Sequence, residues 1–268
     1  MVKCQVVMDA LERIAPHHLA EDWDNPGLLV GSPERQVSRI LVALDVSDIV
    51  VRQAVHEGAE MIVAHHPLLF KPIKKIRTDE PLGYRLQVLL QHDIAVAAAH
   101  TNLDIARGGV NDVLAEAIGL SKLSSFVITQ QGEGGETESL GRIGSLPQPM
   151  AIRDFAEQVR EALPTEHVRF VDAGDRPVRK VALCSGAGAE FVDRAAMMGA
   201  DAYVTGDVRY HDAQRAAELG MHVIDAGHFG TEFPVVATLV NRLREELRGE
   251  GEVEVIADRE SKDFFSLA

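Results

Sequence analysis

The chain carries two copies of one local pattern, and this repeat limits the possible folds more than any other feature of the sequence. Gly58–His66 and Gly199–Asp207 each begin with glycine, alanine and an acidic residue, continue with an apolar strand and end on polar residues. His100–Asp104 and His228–Glu232, further along the chain, match each other in the same way. Strands that alternate with helical periodicity are typical of parallel α/β sheets. The sequence therefore predicts an α/β fold with two similar domains, each a sheet flanked by helices.

The domain boundary is predicted near residue 125, where the composition of the chain changes. Gln130–Glu138 is rich in Gly, Gln and Glu, which predicts a hairpin or a linker. We expect residues 1–125 to form the first α/β domain and residues 126–268 to form the second. An alternative within this division is that the C-terminal helix and strand pack on the first domain. A hydrophobic share of 46% is enough for a sizeable core.

Composition and charge narrow the cellular setting and the classes of partner. Cys4 and Cys184 are the two cysteines, and they lie far apart, so we expect neither a disulfide framework nor a zinc knuckle. No apolar run approaches the roughly 20 residues of a membrane span, and the N-terminus lacks the apolar region of a signal peptide. The net charge of −14 disfavours a nucleic-acid backbone as the main partner. We therefore expect a cytoplasmic protein.

The segment Val63–Pro67 places two histidines, His65 and His66, directly after an apolar strand. Neutral imidazole is the commonest metal ligand in proteins near neutral pH. Neighbouring residues of a strand point to opposite faces, and a proline cannot extend the hydrogen-bonded ladder. The two rings can therefore converge only if the chain leaves the strand here, at the mouth of a sheet where α/β proteins place their sites.

Two further segments offer a histidine and a carboxylate four positions apart, His100 with Asp104 and His228 with Glu232. On a helix such residues share a face, and a tight loop could also bring them together. Imidazole nitrogens and carboxylate oxygens suit zinc, iron and manganese. With the histidine pair, these donors exceed the needs of one tetrahedral ion and fit two metals about 3.5–4 Å apart, bridged by a carboxylate and a water. We expect two divalent metal ions per chain, in a cleft between the two similar halves.

Other candidate binding residues are open to two interpretations. The segment Leu68–Glu80 is basic, and it is either a solvated loop or a phosphate site in which Lys71 and Lys74 take part. Trp23 is interpreted as a packing residue of the core, and the alternative is that its turn closes over the metal site. His211 is kept apart from the structural histidines because it could line the same cleft.

The turn Gly186–Gly188 lies between a predicted strand and a predicted helix, so its amides could bind an anion. The third glycine of a dinucleotide-binding turn is missing. No acidic residue stands in the right context about 20 residues further on. We therefore do not expect a dinucleotide site.

Six phrases in one order resemble the GTP cyclohydrolase 1 type 2 homologue family, also called NIF-three-like proteins: DWDNPGLLVG, VAHHPLLFKPIKKI, AAAHTNLD, LGRIG, YVTGDVRYHDA and IDAGHFGTE. The chain resembles the short form, without the middle insertion domain. The resemblance implies two similar α/β domains, a dinuclear metal site and a toroidal homohexamer. It also implies that His100 lies near the metals, behind the ligands or in proton transfer. The metal ligands it implies are His65, His66, Asp104, His228 and Glu232, the last as a bridge.

Two functions of different classes follow from these residues and the resemblance. The first is a dinuclear-metal-dependent hydrolase, which acts on GTP or a related nucleotide or phosphate compound through a metal-activated bridging water. In this hypothesis His100 and His211 are catalytic residues that transfer protons, and Lys71 and Lys74 hold phosphate. The alternative is a metal-binding scaffold without turnover, either regulatory or a metallochaperone. An enzyme should lose turnover but keep its fold when Glu232 becomes Gln.

Overall fold

The computed structural model describes residues 1–131 and 137–266, and the chain folds into two compact units. Unit 1 contains Met1–Ala106 and Val236–Lys262, and unit 2 contains Arg107–Val235 with the residues from Asp263 onward. The composition change near residue 125, where the sequence placed a boundary, lies inside a long strand of unit 2. The turn of the predicted hairpin, residues 132–136, lies outside the described residues. Within the described residues, no helix is both long and apolar enough to span a membrane.

The elements are numbered in chain order. The strands are β1 Val2–Lys3, β2 Gly27–Val30, β3 Gln36–Val37, β4 Arg39–Ala43, β5 Met61–Ala64, β6 Ala95–Ala98, β7 Ser121–Gln131, β8 Thr137–Met150, β9 Arg169–Val171, β10 Val178–Leu183, β11 Ala202–Thr205, β12 His222–Asp225 and β13 Glu254–Ala257. The α-helices are α1 Cys4–Ile14, α2 Asp48–Glu57, α3 Pro81–Gln91, α4 Thr101–Ile105, α5 Val110–Ala117, α6 Ile152–Ala162, α7 Val192–Met197, α8 Tyr210–Glu218, α9 His228–Glu232 and α10 Val235–Glu246. Short 3-10 helices cover His17–Leu19 and Ala189–Phe191.

The main sheet of unit 1 has the strand order β13-β4-β5-β6-β2. The neighbours from β13 to β6 are parallel, and β2 closes the edge in the antiparallel direction. The C-terminal strand β13 belongs to this unit because it pairs with β4, from Glu254 opposite Arg39 to Ala257 opposite Val42. Since β4, β5 and β6 are parallel, their carboxyl ends lie at one edge of the sheet, which is where ligands bind in such folds.

The sheet of unit 2 has the order β7-β8-β10-β11-β12-β9. Strands β10, β11 and β12 are parallel, and β9 closes the edge beside β12 in the antiparallel direction. This is the same arrangement as β4, β5 and β6 with β2, so the repeat seen in the sequence is a repeat of strand order. The predicted α/β fold, with sheets flanked by helices, is confirmed.

Alternation along the parallel strands explains why both faces of each sheet carry helices. In unit 2, Leu183 packs with residues of α5 and α6, whereas its neighbour Ala182 packs with residues of α7 and α8. In unit 1, Ile62 packs with residues of α2 and α3, whereas its neighbour Met61 contacts Cys4 of α1, sulfur to sulfur at 3.9 Å. Strand segments buried on both faces are continuously apolar, as Met61–Ala64 and the second half of β10, residues 181–183, are.

Helix α2 shows how local sequence signals fix the spacing between strands. The hydroxyl of Ser47 accepts a hydrogen bond from the amide of Val50, which caps the first turn. Gly58 ends the helix in the left-handed conformation, at φ +67°, where a glycine carries no steric penalty. The chain then enters β5, so the next residues after the strand are His65 and His66.

Candidate metal centre

Three histidines meet at the carboxyl edge of the unit 1 sheet. His65 and His66 follow β5, and His100 follows β6, the neighbouring parallel strand. Candidate ligand atoms of the three rings all lie within 4.8 Å of one another. The ring centroids of His65 and His66 are 4.9 Å apart, and that of His100 is 5.2 Å from the first and 5.7 Å from the second. The two neighbouring rings converge because β5 ends at Ala64, before the first of them.

Backbone hydrogen bonds hold this turn against the next strand. The amide of His65 donates to the carbonyl of Ala43 at 3.2 Å, and the amide of His66 donates to that of Leu44 at 2.9 Å. The ladder between β4 and β5 therefore continues for two residues past the regular strand. His65 is buried, with 1% of its surface exposed, while His66 and His100 are half-buried.

Each of the three rings has its Nδ1 atom next to an oxygen acceptor. A carboxylate or a carbonyl can only accept, so in the neutral ring Nδ1 carries the proton and Nε2 carries the lone pair. Ligating histidines in proteins are held in this way, with the second nitrogen donating to a carboxylate or a carbonyl. The pairs are His65 with the Ala99 carbonyl at 2.9 Å, His66 with Asp45 at 2.8 Å and His100 with Asp24 at 2.9 Å.

Asp24 is a residue of this site that sequence reasoning missed. Its side chain is fully buried, and its second oxygen accepts hydrogen bonds from the amide of Thr101 at 3.0 Å and the hydroxyl of Thr101 at 2.5 Å. Burial raises the pKa of Asp24, but the hydrogen bonds from His100 and Thr101 outweigh it and hold the pKa well below its usual range. The carboxylate is therefore charged at neutral pH and fixes the His100 ring.

Asp104 adds a carboxylate to the histidine donors of unit 1. It lies on α4, a single helical turn that has His100 at its N-terminal cap. One carboxylate oxygen of Asp104 is 3.6 Å from Nε2 of His65, and the residue is 7% exposed. The spacing of His100 and Asp104 therefore places both side chains at the same edge of the sheet, as the pattern predicts for a helix.

Unit 2 repeats this arrangement with fewer donors. His228 and Glu232 lie on the short helix α9, directly after β12, and Nε2 of His228 is 3.1 Å from a carboxylate oxygen of Glu232. Nδ1 of His228 donates to Asp207 at 2.8 Å, and this aspartate follows the neighbouring strand β11. The histidine of unit 2 is therefore oriented by a carboxylate from the adjacent strand end, as His66 is oriented by Asp45.

The side chain of Glu232 packs directly against Gly186. Its φ is +61°, and a Cβ atom built on it would lie 2.2 Å from a carboxylate oxygen of Glu232 and 3.3 Å from the His228 ring. Its amide donates to the hydroxyl of Thr231 at 3.0 Å. The sequence indicated this glycine turn as a possible anion site. In the structure, the missing side chain of Gly186 leaves space for the side chains of Glu232 and His228 on α9.

These donors fit a divalent cation by their chemistry. Imidazole nitrogen with carboxylate oxygen is the ligand set of zinc and of the neighbouring transition metals. In unit 1 the candidate ligand atoms of three histidines lie close enough to share one ion, and their Nδ1 atoms are already engaged. The residues present therefore form candidate metal-ligand groups, whereas the number and the identity of the ions stay predictions.

Comparisons with known proteins match this chain to one family over nearly its whole length. The sequence model of the family described as Duf34/NIF3 (NGG1p interacting factor 3) matches residues 2–263. A GTP cyclohydrolase 1 type 2 homolog of Clostridium perfringens is 34% identical over 266 residues, which cover 99% of this chain and 100% of that relative. The crystal structure of a Bacillus cereus protein related to NIF3 has a TM-score of 0.94 at 29% identity and covers 99% of each chain. Reduced HcgD of Methanocaldococcus jannaschii has a TM-score of 0.79 at 30% identity, over 95% of this chain and 97% of that one.

This chain belongs to the DUF34/NIF3 family. The resemblance seen in the sequence is confirmed, and it extends over nearly the whole chain. The shared name of the curated relatives in Clostridium and Bacillus includes the word homolog, so the name by itself assigns no reaction to this DUF34/NIF3 protein.

The other predicted site residues of this DUF34/NIF3 protein lie on its surface. Lys71 and Lys74 are exposed, and within the described ranges neither forms an ion pair, whereas Lys75 pairs with Glu80 at 3.6 Å. His211 is exposed on α8, with Nδ1 3.4 Å from Oε1 of Gln214. Among the described residues, His211 is in none of the candidate metal-ligand groups, and its catalytic role stays a prediction.

The interpretation of Trp23 as a core residue is wrong. Its side chain is 60% exposed, and its ring contacts the rings of Phe70 and His100. The reason is a tertiary contact: the neighbouring Asp24 points inward to His100, 76 positions away, and the indole is left outside. This observation favours the alternative, in which the turn covers the edge of the sheet that carries the histidines.

Proposed function

We propose that this DUF34/NIF3 protein is a metal-dependent hydrolase that binds two divalent ions per chain and acts on GTP or a related nucleotide or phosphate compound. The metal is zinc, iron or manganese. Its proposed ligands are His65, His66, Asp104, His228 and Glu232.

The observation that carries the proposal is the orientation of the histidines. In unit 1 three imidazoles converge, and each donates from Nδ1 to an acceptor that fixes its ring. Two of the three acceptors are aspartates, and His228 of unit 2 has a third, Asp207. Carboxylates placed behind histidines in this way raise the basicity of the ligand and reduce its freedom to turn. A cluster that served packing alone would not require charged groups at these positions.

Different residues of the site are proposed to bind metal, transfer protons and bind phosphate. Divalent ions bound there would supply Lewis acidity and a water of lowered pKa. His100 is held by Asp24 in the tautomer whose Nε2 can accept a proton, which makes it the proposed proton-transfer residue. His211 is the other residue proposed for proton transfer. Lys71 and Lys74, as exposed cations without ion pairs among the described residues, are proposed to bind the phosphate groups of the substrate.

The first test measures metal. The protein is stripped with chelator, incubated separately with zinc, iron(II) and manganese(II) under anaerobic conditions, desalted and subjected to elemental analysis. We expect about two ions per chain, the number that a dinuclear hydrolase requires. His66→Ala and Glu232→Gln should each lose bound metal, whereas His92→Ala and Glu218→Gln, which change exposed residues outside the donor groups, should not. Fewer than one ion per chain in every preparation would refute the metal centre.

The second test separates the enzyme from a metal-binding scaffold. The metal-loaded protein is screened against nucleoside triphosphates, and products are detected by chromatography and mass spectrometry. A hydrolase should turn over at least one compound. Glu232→Gln should abolish turnover, while the unfolding temperature of the metal-free variant remains close to that of the metal-free wild type. A protein that binds its metals but transfers them to an acceptor chelator, with no nucleotide consumed, would be the scaffold instead.

Self-association is the remaining part of the proposal. The family resemblance implies a toroidal homohexamer, which would have six times the 29.2 kDa mass of one chain. Light scattering on the eluted peak of a sizing column measures this mass directly. A monomer at all concentrations tested would show that the resemblance does not extend to assembly.

A further inference from the structure

Three aromatic rings form a corner at the carboxyl edge of the unit 1 sheet. The centroids of Trp23 and Phe70 are 5.8 Å apart with their planes at 75°. His100 lies 6.0 Å from Trp23 at 74° and 6.1 Å from Phe70 at 89°. The three planes are therefore close to mutually perpendicular. A flat ring that stacks on any one of them would present its edge to the other two, an arrangement that the quadrupoles of aromatic rings favour.

The two carbon rings of this corner are open to solvent. Trp23 is 60% exposed and Phe70 is 48% exposed, although large aromatic side chains are normally buried to a much greater extent. Charged residues are next to both rings in the chain, because Trp23 lies between Asp22 and Asp24 and Phe70 is followed by Lys71. Exposed apolar surface with a polar rim indicates a binding surface.

Hydrogen bonds hold the corner in place from both sides. The side-chain amide of Asn25 donates to the carbonyl of Leu69 at 2.6 Å, which ties the turn of Trp23 to the segment of Phe70. The carboxylate of Asp24 accepts from both His100 and Thr101, which ties the same turn to α4. Rings held in advance lose little conformational freedom when a ligand binds, so more of the stacking energy appears as affinity.

We propose that Trp23 and Phe70 form a stacking subsite for the planar heteroaromatic base of a nucleotide, with the base next to His100 and its phosphate toward Lys71. This inference rests on the proposed function and deepens it, because it assigns the part of the substrate that the metals do not bind. The choice of a nucleotide follows from the combination of an aromatic corner with an exposed lysine directly after Phe70 in the chain. A purely apolar ligand would form no ion pair with the lysine, and inorganic phosphate would not stack on the rings.

The chain supplies its own reporter for this proposal. Trp23 is the only tryptophan of the protein, so all tryptophan fluorescence comes from the proposed subsite. The zinc-loaded full chain is titrated with guanosine 5′-monophosphate, with ribose 5-phosphate and with inorganic phosphate, and each titration is corrected for absorbance with a free tryptophan derivative. Saturable quenching is expected with guanosine 5′-monophosphate and not with the two ligands that lack a base.

A matched pair of variants locates the binding. Phe70→Leu keeps an apolar side chain and the reporter but removes one ring, and it should weaken binding of guanosine 5′-monophosphate about five-fold or more, the lower end of base stacking on an aromatic side chain. Tyr84→Leu removes another exposed aromatic ring of unit 1, on α3, and should leave binding unchanged. Bound zinc, measured in both variants, should equal that of the wild type.

Each outcome decides the proposal. Equal affinity for ribose 5-phosphate, or no saturable quenching by the nucleotide, overturns it. Emission that changes when the protein is diluted, but not when nucleotide is added, also overturns it, because a second copy of the chain would then cover the rings. Saturable base binding without any turnover would support the subsite and refute the hydrolase. Nucleotide turnover that Phe70→Leu leaves unchanged in KM would support the hydrolase and refute the subsite.

Discussion

At the residue scale, the candidate site depends on carboxylates that accept a hydrogen bond from Nδ1 of three of its four imidazoles, whereas the fourth, His65, donates to the carbonyl of Ala99. Asp45 accepts this bond from His66, Asp24 accepts it from His100, and Asp207 accepts it from His228. None of these aspartates belongs to the ligand set that the family resemblance implies. Their task is to fix one tautomer and one ring orientation, which a metal ligand requires before any ion arrives.

Removal of the Asp45 carboxylate should weaken metal binding without unfolding the protein. In Asp45→Ala, Nδ1 of His66 loses its acceptor, and we expect a loss of about 10–100-fold in zinc affinity, which is typical when the partner of a ligating histidine is removed. Competition with a fluorescent zinc chelator measures the affinity. Asp48→Ala, which changes an exposed carboxylate at the start of α2, is the control. Equal affinities in the two variants would mean that Asp45 does not orient a ligand.

Asp24→Asn should lower stability in a pH-dependent way. Asparagine can replace only one of the two accepting oxygens, so we expect a loss of about 1–3 kcal/mol in the free energy of unfolding at pH 7. Because folding lowers the pKa of Asp24, its carboxylate contributes stability above the unfolded pKa of about 3.9, and that contribution disappears as the pH falls below it. Urea unfolding should therefore show the wild type and the variant converging below about pH 4. A constant difference across this range would assign the loss to packing.

At the element scale, both units place a single helical turn directly after a parallel strand. Helix α4 follows β6 and helix α9 follows β12, and in each case the strand ends within three residues of the histidine. The short helix turns the carboxylate back to the same sheet edge. In unit 2 this geometry needs Gly186, because a larger residue would occupy the space of the Glu232 side chain.

Gly186→Ala should displace Glu232, and Gly199→Ala is its matched control. Both glycines have positive φ, +61° and +70°, so alanine adds backbone strain of about 1–2 kcal/mol at either position. Only at Gly186 would the new methyl meet the Glu232 carboxylate, since a Cβ on Gly199 has nothing within 4 Å. We therefore expect both variants to lose stability but only Gly186→Ala to lose bound metal in elemental analysis. Full metal content in both would show that Glu232 can move aside without consequence.

At the scale of the whole molecule, the chain makes two units of related design and does not make them strictly one after the other. The segment after α9 returns to unit 1, where β13 becomes the strand beside β4. Each unit has an apolar core that packs on both faces of its own sheet. The stability of each unit is therefore built on burial, and metal would add to it by binding only the folded state.

Removal of metal should lower the unfolding temperature of the whole chain. Zinc at 100 times its dissociation constant should add about 2.7 kcal/mol to the free energy of unfolding by mass action. Calorimetric scans of chelated and zinc-loaded protein measure the shift, and the shift should be smaller in His66→Ala. His92→Ala should respond to zinc as the wild type does. An identical transition with and without zinc would argue against binding to the folded state.

The sequence by itself determined the order of strands and helices, because hydrophobic periodicity and helix caps are local signals. Ser47 and Gly58 mark the two ends of α2, and the apolar run up to Ala64 marks the end of β5. A residue that directly follows a parallel strand must lie at its carboxyl end, so the approximate positions of His65, His66 and His100 also followed from the sequence.

Only the tertiary structure decided which side chains meet at those ends. Asp45 and His66 are 21 positions apart, and Asp24 and His100 are 76 apart, so their pairing depends on which strands lie side by side. The exposure of Trp23 was decided in the same way, since hydrogen bonds hold the turn that carries it to His100 and Thr101 at the start of α4 and to the carbonyl of Leu69. Periodicity describes a residue relative to its own element, whereas contacts across a sheet depend on strand order, which no local pattern encodes.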